Sequence, residues 1–351
     1  MNELLEKHWP AIRALILPYL FIFFLLVYPI DYYVTAPGGL SDVGKSISID
    51  FDAGKPIAGS FSSTYVIYVR KPTFFEFFAA YFSPYNDSGQ LTPAQLAEDP
   101  VQNEQIAYLD HVTSLDASII VAYEAMAALN PAIRIVYEDK VLVYGKASYL
   151  SHYADIGLGD EFVSVLGDGG ELVIDYTQIG TFTTVGNLYP FTFRTAAGTE
   201  YTLEVLKQPQ TGKFGLTFAP FRLVNEEETY PKFTQHSVDI GGPSGGLMQA
   251  LYIYNVLSPV DITRGLKIAG TGTIGYDGTA GDIGGVKQKI AAAYVYGADL
   301  FFVDHHSDTN VYDDYVEALA ACEELGIQDT SWIIPVQTFQ DCLDYLEGLG
   351  D

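Results

Sequence analysis

An uncharged run from Ala14 to Ile30, ALILPYLFIFFLLVYPI, limits this chain more than any other feature. Counted from Ala11 and tolerating Arg13, it reaches the roughly 20 residues that carry a helix across hydrocarbon. Trp9 before it and Tyr28, Tyr32 and Tyr33 after it stand where interfacial aromatics sit. Lys7 and Arg13 precede the run and Asp31 follows it, so the positive-inside bias places the N-terminus in the cytoplasm and the rest outside; Glu3 and Glu6 weigh little in that rule. Val34-Thr35-Ala36 has the residue sizes of a signal-peptide cleavage site. Pro37 discourages cleavage and the run exceeds a usual signal core, so residues 1–31 read as a cytoplasmic stub and an uncleaved anchor.

The remaining chain, within 351 residues, has room for two or three domains with cores of their own. Its 44 acidic and 18 basic residues give a net charge of −26, spread along the chain as a solvated surface. Such a surface repels nucleic acid, and no basic stripe is present to reverse that. With 48% apolar residues the chain is not a disordered one. The two cysteines, Cys322 and Cys342, form neither a CxxC pair nor a disulfide framework, and read as buried thiols.

Alternating residues (Ile47, Ile49, Phe51; Tyr65, Ile67, Val69) predict strands between Ser46 and Val69. Phe74–Phe82 and Ala117–Leu129 read as helices with a polar stretch between them, and the whole of 32–139 reads as an insert of strands and helices. Residues 140–208 read as a small β-rich module. It contains Gly157-Leu158-Gly159-Asp160, an apolar strand, the turn Gly167-Asp168-Gly169-Gly170, and a closing hairpin joining 191–194 to 201–205. From 212 to 351, helices are expected at Gly246–Leu257, Val286–Tyr296, Val311–Leu325 and Phe339–Leu346. Strands interleave with them at Leu266–Gly270, Leu300–Val303 and Trp332–Ile334, an α/β or α+β domain.

Three motifs match known patterns. Gly39 to Ser46 fits a phosphate-binding loop, but it follows a membrane span and runs into a strand. Gly270-Thr271-Gly272-Thr273-Ile274-Gly275 fits a dinucleotide fingerprint, but Tyr276-Asp277-Gly278 turns the chain back as a hairpin instead of opening a helix. Gly242-Pro243-Ser244-Gly245-Gly246 fits a nucleophile elbow and has the right context: a strand-like segment, Ser237–Ile240, before it and an apolar helix after it. A serine there stands beside the free amides of a helix start, a ready oxyanion site; a glycine-rich turn capped by Ser244 explains the residues equally well.

A serine nucleophile needs a base. His305 and His306 lie downstream, as do Lys287 and Lys289 in a helix of Val, Ile and Ala. A lysine serves only when neutral, which requires its pKa to fall from about 10.4 towards 7 or 8 through burial. The helical wheel places the two lysines on opposite flanks of the apolar stripe and does not choose between them.

Taken together, these motifs resemble the proteolytic domain of Lon peptidases. Pro243-Ser244 with its glycines resembles the nucleophile loop, Ala269-Gly270-Thr271-Gly272 the strand whose threonine contacts the dyad, and Ile283-Gly284-Gly285-x-x-x-Lys289 the lysine motif. The resemblance implies a Ser244–Lys289 dyad supported by Thr271, with Gly242, Pro243, Gly245 and Gly246 shaping the nucleophile and oxyanion loop. Lys287 is then a bystander. The order of the 140–208 module is similar to bacterial PDZ domains, in which a helix precedes the closing hairpin and which bind extended peptides at a sheet edge.

The whole chain resembles the ATP-independent, membrane-anchored branch of the Lon family. Tyr32 to Gly38 and Asp239 to Ser244 carry that likeness, although Gly241 stands where ATP-dependent Lon has an acidic residue. The resemblance to this branch implies a serine endopeptidase acting on protein or peptide substrates outside the membrane. No metal, nucleotide or other cofactor is implied, and the family's habit of forming rings implies a homo-oligomer. Two other readings remain: an α/β-hydrolase using Ser244 with His305, and a non-catalytic adaptor that binds partners through the PDZ-like module.

Overall fold

The computed structural model describes residues 2–236, 241–306 and 313–350. It is a mixed α/β protein led by one apolar helix. In α1 (Asn2–Val27), the stretch His8–Val27 is long and apolar enough to cross a membrane, and among its described residues none is buried against the rest of the chain. Only Tyr28 to Asp31 separate it from β1 (Tyr32–Asp42). There follow β2 (Ile47–Ile49), β3 (Ser60–Arg70), α2 (Phe74–Tyr81), β4 (Asp87–Gln90), α3 (Pro93–Ala97) and α4 (Pro100–Ala127). The expected helix at Ala117 thus starts far earlier. Asp99 accepts the Val101 amide at 3.0 Å and Pro100 fills the first position, both helix-start chemistry. Its first turns are polar and exposed, so apolar periodicity reveals only the buried half, Leu115 to Met126. The Gly39–Ser46 segment is strand passing into a single 3-10 turn at Val43–Lys45, with no helix to meet a phosphate.

Next come β5 (Tyr137–Lys146), β6 (Glu161–Leu166), β7 (Leu172–Val173), β8 (Leu188–Arg194), β9 (Glu200–Leu206) and β10 (Leu216–Val224). They form one sheet in the order β10-β5-β6-β8-β9, with β7 beside β6. Its own core gathers Val143, Phe162, Val165, Phe191, Phe193 and Val205. The hairpin is β8–β9, with Phe191 opposite Leu203. Two features differ from the PDZ pattern. A 3-10 turn, Tyr176–Gln178, stands where that pattern has a helix. And β10 pairs with β5 from Leu216–Lys146 to Val224–Tyr137, so the sheet continues past residue 208. β10 shows no alternation because both its faces are covered: Phe218 lies against Phe162 and Phe221 against Tyr144.

The last third supplies β11 (Phe233–Gln235), α5 (Gly246–Leu257), β12 (Lys267–Gly270), β13 (Thr273–Ile274), β14 (Ala280–Gly281), α6 (Val286–Val295), β15 (Leu300–Asp304), α7 (Asp314–Leu325), β16 (Ile333–Val336) and α8 (Phe339–Gly348). Ser237–Ile240 and the opening residues of the helix expected from Val311 lie outside the described residues. A six-stranded sheet runs β16-β15-β12-β3-β1-β4, parallel from β16 to β3 and antiparallel at β1. The segment read as an insert therefore supplies three of the six strands. Ile268, Phe302, Ile334 and Val336 face a core shared with α4, α5 and α8, while Ala269, Phe301, Val303 and Ile333 face α6 and α7. Both faces are covered, so β15 reads as the continuous apolar run Leu-Phe-Phe-Val. Cys322 and Cys342 are buried free thiols, one in each of these cores.

Candidate active site

Ser244 sits on a loop pinned to α4. Gly242 has φ +88°, and its amide donates to the Ala107 carbonyl at 2.8 Å. On the other side of the serine's proline, the Ser114 hydroxyl donates to the Pro243 carbonyl at 3.0 Å. Gly246 opens α5 in close contact with the same serine. A Cβ there would come within 2.7 Å of Ser114 Oγ and 2.8 Å of Ile274 Cγ2, so only glycine lets the helix start this near α4. At that helix start the Gly246 amide donates to Pro243 and the Leu247 amide to Gly272, each at 3.2 Å. Among the described residues, the amides of Ser244 and Gly245 donate to no protein acceptor.

β12 ends at Gly270 and delivers Thr271 beneath this loop. The Thr271 hydroxyl donates to the Ser244 carbonyl at 3.2 Å and accepts from Lys289 Nζ at 3.0 Å. The Gly272 amide reaches the same carbonyl at 2.9 Å. α6 starts at Gly285, whose φ of +71° suits glycine and whose missing side chain leaves room for Val66 of β3. Lys289 follows one turn later. Ser244 and Lys289 line one cleft of about 440 Å³, together with Tyr65, Val66, Thr273 and Asp282. It opens at the carboxyl end of β12, the usual crevice of open α/β sheets. The cleft shares Pro243 and Thr273 with a second groove that runs between α4 and Pro220–Phe221 of β10.

Lys289 is 3% exposed. Burial lowers its pKa to about 8, with the Asp314 carboxylate pulling the other way. Asp314 accepts the Ile283 amide at 2.9 Å, and burial holds its own pKa up at about 7. Lys287 leaves the opposite flank of α6. Burial works against its charge, but Glu324 and Asp87 outweigh that and raise its pKa.

The chain is similar to part of a Lon protease. A stretch of 105 residues, 30% of the chain, is 31% identical to the Lon protease of Mesomycoplasma hyopneumoniae (strain 232). The chain spans about a tenth of the length of that relative. No protein-family model matches.

The histidines weighed from the sequence stand elsewhere. His305 Nδ1 lies 2.8 Å from Asp313 and its ring is edge-on to Tyr315; it is not among the residues lining the cleft. His306 Nε2 lies 3.0 Å from Asp304. With Asp282 these two form the cluster, among the described residues, whose ligand atoms fall within 4.8 Å of one another as a metal ion requires. A third histidine escapes sequence reading. His111, on α4, lines a small cavity with Gly242, Ser244 and Gly245. Burial lowers its pKa and a hydrogen bond to the Gly242 backbone opposes this. It carries no motif, and only the packing of α4 brings it to the loop.

Proposed function

We propose that this chain is an ATP-independent serine endopeptidase of the Lon-like kind, anchored by α1 with its remaining residues outside the cytoplasmic membrane. The observation that carries the reading is a desolvated lysine linked through one threonine hydroxyl to the backbone of a serine in the same cleft. A lysine titrating near 8 is neutral in a useful fraction at physiological pH, which an ordinary lysine is not.

In this mechanism Ser244 Oγ attacks the scissile carbonyl carbon and its proton passes to Lys289 Nζ. The C–N bond then breaks, the leaving amine takes that proton from the ammonium, and an ester to Ser244 remains. Water, deprotonated by the same amine, attacks the ester; the C–O bond to Ser244 breaks, and the ammonium returns the proton to Ser244 Oγ as the acid product leaves. The unengaged amides of Ser244 and Gly245 are the oxyanion donors, since those of Gly246 and Leu247 are already bonded within the protein. Thr271 fixes the lysine by accepting a hydrogen bond from its amine. The groove from the cleft to β10 gives an extended peptide a path to the β-rich module, which we read as a PDZ-like unit over 137–224. The α/β body is then formed by residues 32–127 and 233–350. Ring assembly remains an expectation of the Lon likeness.

The test is cleavage of an unfolded casein-type substrate by full-length protein in detergent, without nucleotide. Ser244→Ala and Lys289→Ala should each reduce kcat/KM by at least about 10³-fold, while His305→Ala leaves it within a few-fold. Full activity of Lys289→Ala, or loss in His305→Ala alone, would overturn the dyad.

A further inference from the structure

The helix α2 carries an aromatic ridge that, apart from a contact at Phe74, is open among the described residues. Phe74, Phe75, Phe78, Tyr81 and Phe82 are all exposed, from 38% at Phe74 to 69% at Phe82, and no residue of the helix is buried. At 3.6 residues per turn these five fall within an arc of about 120°. Glu76 lies on the opposite side, held in a capping box with Thr73, and Phe77 turns inward onto Tyr32. So many adjacent bare rings mark a contact surface.

The location of the ridge identifies what covers it. The Ile30 amide donates to the Pro72 carbonyl at 2.9 Å, tying the start of α2 to the exit of α1. The Phe74 ring packs on Phe24 and Tyr28, with centroids 5.6 and 6.2 Å away. Phe24 belongs to the last turn of the stretch able to cross a bilayer. α2 therefore stands at the depth where that helix leaves hydrocarbon, the layer favoured by aromatic side chains. A protein of net charge −26 is not drawn to anionic headgroups, so the attraction at this contact is apolar.

We propose that α2 is a second membrane-contacting element, lying in the interface with Phe75, Phe78, Tyr81 and Phe82 at the acyl boundary of an uncharged lipid surface. This rests on the reading of α1 as a membrane span. It also joins the bilayer to the cleft. Beyond α2 the chain reaches Asp87, whose carboxylate accepts from Lys287 at 3.1 Å and from Gln288 at 2.8 Å, next to Lys289 on α6.

The experiment uses full-length protein in phosphatidylcholine vesicles containing lipids brominated at shallow or deep acyl positions. The two native tryptophans are replaced (Trp9→Phe, Trp332→Phe), and Phe78→Trp or Phe21→Trp supplies a single reporter. Phe78→Trp exchanges one exposed ring for another, so folding is not at stake. Its fluorescence should fall at least twofold with shallow bromines, less with deep ones, and equally when anionic lipid is added. Phe21→Trp should show the reverse depth preference. Quenching of Phe21→Trp without quenching of Phe78→Trp overturns the proposal and leaves the span intact, whereas loss of both overturns both. Shielding of Phe78→Trp from bromolipid and aqueous iodide alike would mean that a second copy of the chain covers the ridge, and also overturns it.

Discussion

On α6 the inner flank carries Lys289 into the cleft, where its amine donates to the Thr271 hydroxyl and is buried; the outer flank carries Lys287 to the carboxylates of Asp87 and Glu324. The helix, its length and its intrinsic propensity are common to both, so the different pKa directions come from neighbours alone. Desolvation that the Asp314 carboxylate only partly offsets lowers one. The same penalty, overtaken by two carboxylates, raises the other.

Stability separates the two flanks most sharply. Unfolded, the Lys289 amine titrates near 10.4; folded, near 8. Between those values the unfolded chain holds more protons, so stability rises with pH across the window, and the cost of burying the cation is complete below pH 8. Lys289→Met removes that cost and should stabilise the protein by on the order of 3 kcal/mol at pH 7, with little effect above pH 10.5. Thermal unfolding in detergent at both pH values checks this, and a pH-independent change would break the comparison.

Thr271→Val keeps the shape but leaves the lysine unoriented. It should lower kcat/KM by roughly ten- to a hundredfold while KM stays nearly constant, read in the casein-type assay. Lys287→Met, by contrast, should cost about 1 kcal/mol of stability and leave kcat within about twofold, because its ion pairs are partly exposed. A large loss of kcat there would show that the outer flank also sets the inner one. The smallest effect belongs to Asp314→Asn. Removing a carboxylate that raises the Lys289 pKa should shift the rising limb of the pH–rate profile downward by less than about one unit.

The sequence made the α/β alternation from Gly246 onward readable, because its helices bury whole faces and its strands are apolar runs. It also brought Ser244, Thr271 and Lys289 into one hypothesis; Ser244 and Lys289 line one cleft, and the buried Thr271 hydroxyl bonds to the backbone of the first and the amine of the second. What it hid was long-range pairing. β1, β3 and β4 looked like a separate insert because nothing local shows that Ser60–Arg70 lies beside Lys267–Gly270. β10 lost its alternation to contacts on both faces. His111 and the Ser114 hydroxyl reach the nucleophile loop from a helix whose apolar pattern starts only beyond them.

Between the apolar helix and the central sheet the chain has four residues, Tyr28 to Asp31, which even fully extended reach no more than about 14 Å. Tyr28, Pro29 and Ile30 are engaged with Phe24, Thr73 and Pro72, so that link has little slack. On the proposed reading, a cleft mounted this way has a set altitude: it would sample a thin shell beside the lipid and not sweep outward on a tether. The substrates that geometry would admit are polypeptides emerging or fraying within that shell, and those that never approach the bilayer would stay beyond its reach.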